Sequence, residues 1–478
     1  MGNAQEQDQL VYARPDHPEW SFAPEVTDDG AYLVISVRVG TDRRNRLYYQ
    51  ALRSPQGPVV PLLDAFDASY EFVDNEGDTF FVLTDKDAPK GRLVAISLDR
   101  PSPHHWQTVI PEASETLQAV TRVGPYLFAR YLKDAVTQVK VFSLDGQLVK
   151  VLSLPGLGTA SGFAGDRFQR ETFFTFTSFL TPGTVYRVDL ATLEPEKLFE
   201  PKFAFDPSRF ETKQVFVTSA DGTRVPMFVV HRTGLLLNGQ NPTLLYGYGG
   251  FNVSVTPSFS PRTIAWLEMG GVYAVGNLRG GSEYGEEWHQ AGMLKNKQKV
   301  FDDFIACAEW LIANRYTSSR KLAINGASNG GLLVGAAMTQ RPELFAAAVP
   351  AVGVMDMLRF HKFTIGWAWV SEYGSADDPN MFPVLYRYSP LHNLRDGVCY
   401  PATFVTTADH DDRVVPSHSF KFAARLQEAQ GCDQPVLIRI ETRAGHGAGK
   451  PTTKQIEEAT DVLAFLTQVL GMAGGGAP

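Results

Sequence analysis

Gly326-Ala327-Ser328-Asn329-Gly330 stands between a short apolar strand at 321–325 and an unbroken helix-forming run at 332–340. The five residues satisfy G-x-S-x-G, and no other serine in the chain does. That pattern alone is weak; its setting between strand and helix is what an α/β-hydrolase nucleophile elbow requires. A serine on so sharp a turn is strained, and small neighbours let strand and helix approach. The helix N-terminus directs amide dipoles toward charge that forms during acyl transfer. Phosphate-binding turns look similar, but the chain has no G-x-x-x-x-G-K-[ST], and no G-x-G-x-x-G followed by an acidic ribose ligand. Ser328 is therefore the candidate nucleophile.

Working outward from the elbow, strands alternate with helices. Strands are expected at 243–246, 271–276, 346–350, 402–407 and 436–441, and helices at 302–314, 417–430 and 456–470. Asp221-Gly222 marks a hairpin between 215–218 and 226–231. This alternation predicts a doubly wound, mostly parallel sheet with helices on both faces. In that fold the partners follow the serine in the order acid, then histidine, each just past a strand end. Of His361, His392, His410, His418 and His446, only His446 directly follows its own strand beyond the acid-bearing segment. Asp409, Asp411 and Asp412 all follow the strand at 402–407, and spacing does not separate them. His446 would take the Ser328 proton and pass it to the leaving group, while the aspartate fixes the imidazole tautomer.

Before residue 205 the pattern is strands alone, and it repeats. Leu33, Phe80, Leu127 and Phe174 lie in similar stretches spaced 47 residues apart, each followed by a polar turn and another strand. A period near 47 with several strands per unit predicts a β-propeller, here of about four blades. The expected organisation is a lead-in at 1–24, a partial all-β propeller at 25–204, an α/β-hydrolase domain at 205–471 and a flexible tail at 472–478.

The formal charge of −8 and the lack of a basic run argue against nucleic-acid binding. No apolar run approaches the roughly 20 residues that span a bilayer, and the polar start lacks a signal-peptide core. Gly2 invites comparison with a myristoylation signal, but Glu6 stands where Ser or Thr is wanted. Cys307, Cys399 and Cys432 are few, odd in number and far apart. They predict three reduced thiols in a cytoplasmic protein, with neither a zinc site nor a disulfide. No metal or organic cofactor is implied, and a monomer is expected.

Several stretches resemble the prolyl oligopeptidases. They are Tyr246-Gly247-Tyr248-Gly249-Gly250-Phe251-Asn252, Arg279-Gly280-Gly281-Ser282-Glu283-Tyr284-Gly285 and Asn325-Gly326-Ala327-Ser328-Asn329-Gly330-Gly331. Further on come Tyr388-Ser389-Pro390-Leu391-His392-Asn393, Ala408-Asp409-His410-Asp411-Asp412-Arg413-Val414-Val415-Pro416 and Ala444-Gly445-His446-Gly447-Ala448-Gly449-Lys450. The likeness covers the whole hydrolase half and continues weakly through the repeats. The family's D-x-R pattern selects Asp411, with Arg413. The resemblance implies oxyanion donors from the Asn329 backbone and the Tyr248 hydroxyl. It also implies a proline pocket with Trp369 stacked on the pyrrolidine ring, Phe251, Tyr373 and Val414 around it, and Arg413 on a substrate carbonyl.

The implied activity is a serine endopeptidase that cuts after proline in short peptides, with proline-containing oligopeptides as partners. The alternatives are another acyl hydrolase of the same fold, such as an esterase or acylaminoacyl peptidase, or an inactive binding protein. Family members carry seven blades and an N-terminal segment, so the chain resembles a form lacking that segment and about three blades. An incomplete propeller is expected to leave sheet edges unpaired and to weaken exclusion of large substrates.

Overall fold

The computed structural model describes residue 2 and residues 4–53, 57–447 and 449–472. The tail expected at 472–478 lies, from 473 onward, outside the described residues. The first half is four antiparallel four-stranded meanders. They are β1–β4 (Trp20–Val26, Tyr32–Val39, Asn45–Ala51, Val60–Leu63), β5–β8 (Tyr70–Glu76, Thr79–Thr84, Arg92–Ser97, Gln107–Ile110), β9–β12 (Thr116–Val123, Tyr126–Lys133, Val136–Ser143, Leu148–Val151) and β13–β16 (Thr159–Ala164, Glu171–Thr177, Thr184–Asp189, Glu194–Phe199). The 47-residue step moves from one sheet to the next along β2, β6, β10 and β14. Gly77 and Gly124, with φ of 54° and 57°, open two-residue turns that join β5 to β6 and β9 to β10.

Successive sheets pack face to face, as blades do. Val34 and Leu47 of the first sheet meet Phe80 and Val94 of the second. Leu83 and Leu93 of the second meet Leu127 and Ala129 of the third. Between the third and fourth, Phe128, Phe163, Phe174 and Tyr186 form a ladder of stacked rings with centroids 5.5, 4.8 and 5.0 Å apart. Each such pair adds about 0.5–1.5 kcal/mol beyond its area burial. The fourth sheet keeps Phe173, Leu198 and Phe199 exposed, and the first keeps Phe22 and Val26 exposed.

The second half is one eight-stranded sheet in the order β17-β18-β20-β19-β21-β22-β23-β24. Its strands are β17 (Phe210–Thr218), β18 (Arg224–Arg232), β19 (Thr243–Tyr246), β20 (Val272–Gly276), β21 (Leu322–Ala327), β22 (Ala347–Ala351), β23 (Ala402–Ala408) and β24 (Val436–Glu441). The hairpin β17–β18 is antiparallel and joins β20 antiparallel; all later pairs are parallel. The helices are α1 (Pro261–Glu268), α2 (Glu286–Gln290), α3 (Gln298–Ala313), α4 (Asn329–Gln340), α5 (Val370–Tyr373), α6 (Phe382–Tyr388), α7 (Ser417–Ala429) and α8 (Thr452–Val469).

Side chains alternate across each strand, so two cores form. Leu244, Ala323, Ala347 and Phe404 pack with Trp266 of α1 and Val462 and Leu466 of α8. Leu245, Ile324, Ala348 and Val405 pack with α3, α4 and α7 on the other face. This is an α/β-hydrolase domain preceded by propeller sheets.

The expectation of three reduced thiols is wrong. Cys399 and Cys432 form a disulfide, and Cys307 alone is free and buried. The segments before β23 and β24 meet at an isolated parallel bridge between Val398 and Gln430, which brings the two Cα atoms within 5.1 Å. That distance suits a disulfide, and a separation of 33 residues gives no hint of it. The disulfide also removes the thiol argument for the cytoplasm. Among the described residues, no helix is long and apolar enough to cross a membrane.

Candidate active site

Ser328 ends the turn between β21 and α4 at φ 60° and ψ −117°. Its glycine neighbours are sterically required. A Cβ on Gly326 would lie 2.3 Å from the Gly330 carbonyl oxygen, and one on Gly330 would lie 2.7 Å from that of Gly247. Ser328 N–H donates to the Ala351 carbonyl at 2.9 Å, which ties the elbow to the end of β22. Asn329 is the first residue of α4, so its own N–H has no preceding turn to bond.

Tyr248, Ser328, Val354, Asp411 and His446 follow β19, β21, β22, β23 and β24 respectively. Loops at the carboxyl ends of parallel strands are where open α/β sheets build their sites. Asp411 is buried, and its Oδ1 accepts from the N–H groups of Arg413 (3.0 Å) and Val414 (2.9 Å). Its Oδ2 lies 2.6 Å from His446 Nδ1. Asp409 instead meets His410, and Asp412 is exposed. The carboxylate thus orients the imidazole through one nitrogen and leaves Nε2 for other work. Among the described residues, no hydrogen bond links Ser328 to His446. Such bonds are often long before substrate binds.

Beside Ser328 is a cavity of about 280 Å³ lined by Thr41, Tyr248, Phe251, Val253, Ser328, Val354, Trp369, Tyr373 and Arg413. It gathers the sequence-predicted pocket residues except Val414, which is buried behind Asp411. Tyr373 stands edge-on to Phe251, with centroids 5.3 Å apart. Burial, with Tyr246 and Glu372 adding to it, pushes the Tyr248 hydroxyl up to about 12, so it stays a proton donor. The Arg413 guanidinium is exposed and has no acidic partner among the described residues.

Thr41, Val253 and Val354 escape the sequence reading. Val354 could have been found from its place after β22. Thr41 comes from the propeller, in the turn between β2 and β3, and donates its hydroxyl to the Ala368 carbonyl at 2.7 Å.

Three buried ionisable residues behind the cavity, Glu372, His289 and Lys297, and the half-buried Glu286 were also not foreseen. Glu372 Oε1 accepts from the Phe251 N–H at 3.0 Å, and its Oε2 lies 2.8 Å from His289 Nε2. Lys297 donates to the Gly249 carbonyl (2.8 Å) and to Asn329 Oδ1 (3.1 Å). Glu286 lies 3.4 Å from His289 Nδ1. Burial opposes charge on His289, but Glu286 and Glu372 outweigh it and raise the group from 6.5 to about 9. Burial lowers Lys297 from 10.5 to about 8, with Glu372 opposing.

The two residues give opposite pH signatures. The raised His289 contributes stability that is complete below pH 6.5 and is lost as pH rises through about 9. The lowered Lys297 acts the other way: its cost is complete below about 8 and is relieved as pH rises to 10.5. Urea unfolding should therefore show a loss between about pH 6.5 and 8 that His289→Gln removes. An equal loss in the variant would assign it elsewhere.

The strained serine at a strand–helix elbow on this sheet defines a hydrolase of the serine class. Residues 257–473 match the Prolyl oligopeptidase family, and residues 1–201 match the Prolyl oligopeptidase N-terminal beta-propeller domain. A prolyl endopeptidase of Elizabethkingia meningoseptica is 47% identical over 473 residues, covering 99% of this chain and 67% of that protein. One of Dictyostelium discoideum is 41% identical over 497 residues, covering 99% of this chain and 65% of that protein. Among solved structures, prolyl oligopeptidase B from Galerina marginata, bound to a 35mer hydrolysis and macrocyclization substrate, superposes with a TM-score of 0.95. It is 38% identical, covering 98% of this chain and 68% of that one. The chain belongs to the prolyl oligopeptidase family, whose members are serine peptidases. It spans about two thirds of the length of these relatives.

Proposed function

We propose that the chain hydrolyses peptide bonds on the carboxyl side of proline in short peptides, through an acyl-enzyme on Ser328. His446 serves as general base and then general acid, and Asp411 holds its tautomer. The Asn329 N–H and the Tyr248 hydroxyl receive the oxyanion. Trp369 offers its indole face to the pyrrolidine ring, with Phe251 and Tyr373 beside it, while Val414 backs the acid. Arg413, which has no acidic partner among the described residues, takes a substrate carbonyl.

The observation that carries this reading is the aromatic cavity with Ser328 in its wall. A flat apolar face suits a rigid ring that lacks an N–H. An esterase would need no such aromatic box.

The test is a panel of short peptides differing only at the residue before the scissile bond, with Trp369→Ala alongside. Cleavage after proline should exceed cleavage after alanine. Trp369→Ala should lower kcat/KM for the proline peptide by about 10- to 200-fold, the scale for loss of an apolar pocket contact. Equal rates for the two peptides in the unmodified chain would overturn the specificity while leaving the hydrolase reading intact.

A further inference from the structure

The loop at 248–252 carries Tyr248 and Phe251 and has three consecutive or near-consecutive positive φ angles, at Gly249 (65°), Phe251 (55°) and Asn252 (58°). Such backbone persists only where its surroundings impose it. Those surroundings are ionic. Lys297 holds the Gly249 carbonyl and the Asn329 side chain, and Glu372 holds the Phe251 N–H. Asn329 Nδ2 in turn donates to the Tyr248 carbonyl at 2.6 Å. One buried cluster therefore fixes both candidate oxyanion donors.

The cluster does not end in the hydrolase domain. From Glu372 it runs through His289 to Glu286, and Glu286 Oε2 lies 2.9 Å from Arg43 Nη1 of the propeller. Arg43 also lies 3.5 Å from Asp85. Glu286 and His289 sit on α2, whose start is pressed against the propeller. Glu286 N–H donates to the Pro89 carbonyl at 2.7 Å, and a Cβ on Gly285 would lie 2.4 Å from that oxygen. A cavity of about 630 Å³ opens along this path, away from Ser328, with Arg43, Glu286, His289 and Glu372 in its wall.

We propose that Arg43, Glu286, His289, Glu372 and Lys297 form a positioning relay that couples docking of the propeller to the geometry of the oxyanion donors. None of the five touches the reacting atoms. They act through Gly249, Phe251 and Asn329. When the propeller contact at Arg43 is lost, α2 loses a tether, the carboxylate of Glu372 loses its fixed partner, and the strained loop relaxes. The consequence falls on kcat, because the oxyanion exists only in the transition state. The relay rests on the assignment of Ser328 as nucleophile.

The test uses the full chain with Arg43→Gln, Glu286→Gln and the pair, assayed on a short proline peptide. Arg43 and Glu286 are partly exposed at the domain contact, so these variants retain the fold; thermal unfolding checks this. Each single change should lower kcat by about 3- to 30-fold, with little change in KM, and the pair should lower it no further than the worse single change. Arg43→Lys should restore part of the rate. A peptide aldehyde ending in proline, which forms a tetrahedral oxyanion on Ser328, should lose affinity by the same factor. The corresponding alcohol should lose none. Unchanged kcat in both folded single variants, additive losses, or equal weakening of aldehyde and alcohol would overturn the relay. Failure of the nucleophile assignment itself reads differently, since unmodified protein would then not bind the aldehyde more tightly than the alcohol.

Discussion

Ser328→Ala is expected to abolish peptide cleavage, lowering kcat by about 10⁶-fold, the scale for removing the nucleophile of a Ser-His-Asp unit. The fold should survive. The Ser328 side chain has no hydrogen-bond partner among the described residues, so alanine leaves no buried group unpaired, and the φ of 60° is a strain both residues share. Labelling by a fluorophosphonate probe should vanish with the activity. Asp411→Asn should cost about 10⁴-fold, because the amide favours the wrong tautomer of His446. Adding it to Ser328→Ala should cost nothing more, since residues that act as one unit are not additive. Cleavage by folded Ser328→Ala within tenfold of the unmodified chain would end the assignment.

The second large effect is expected at Tyr248. Tyr248→Phe removes one hydroxyl and no packing, yet it should lower kcat by about 10²- to 10³-fold, as loss of a single oxyanion donor does. KM should move little. The hydroxyl has no partner among the described residues and lines the cavity beside Ser328, so the substrate carbonyl gains it fully only as negative charge develops. Kinetics on a short proline peptide decide the matter. A rise in KM with kcat preserved would make Tyr248 a ground-state binding residue.

The elbow was legible because its requirements are local. Strand, glycines, serine and helix lie within twenty residues of sequence, and their spacing states the geometry. His446 was legible for a similar reason, since it follows its strand directly. The aspartates were not separable by spacing. What separates them is that Asp411 turns back onto the N–H groups of Arg413 and Val414, which aims its other oxygen at His446.

Of the propeller, the second and third strands of each sheet were readable because they carry most of the apolar side chains that pack between neighbouring sheets. The outer ones, such as β4, β8 and β12, are four residues long and half exposed, so they leave little pattern. The relay and the disulfide were illegible because each joins segments brought together only by the sheet order. His289 and Glu372 are 83 residues apart, and nothing near either one marks it as a partner.

Thr41 is the propeller's contribution to the wall of the cavity, and Gly40 beside it fits so closely that a Cβ would lie 2.8 Å from the Ala368 carbonyl oxygen. On the proposed function, part of the wall that a bound peptide meets is thereby supplied by a propeller turn, the same turn that carries Arg43. A lineage could shift what it digests by exchanging residues in that turn, leaving the catalytic half untouched, and an engineer could follow the same route.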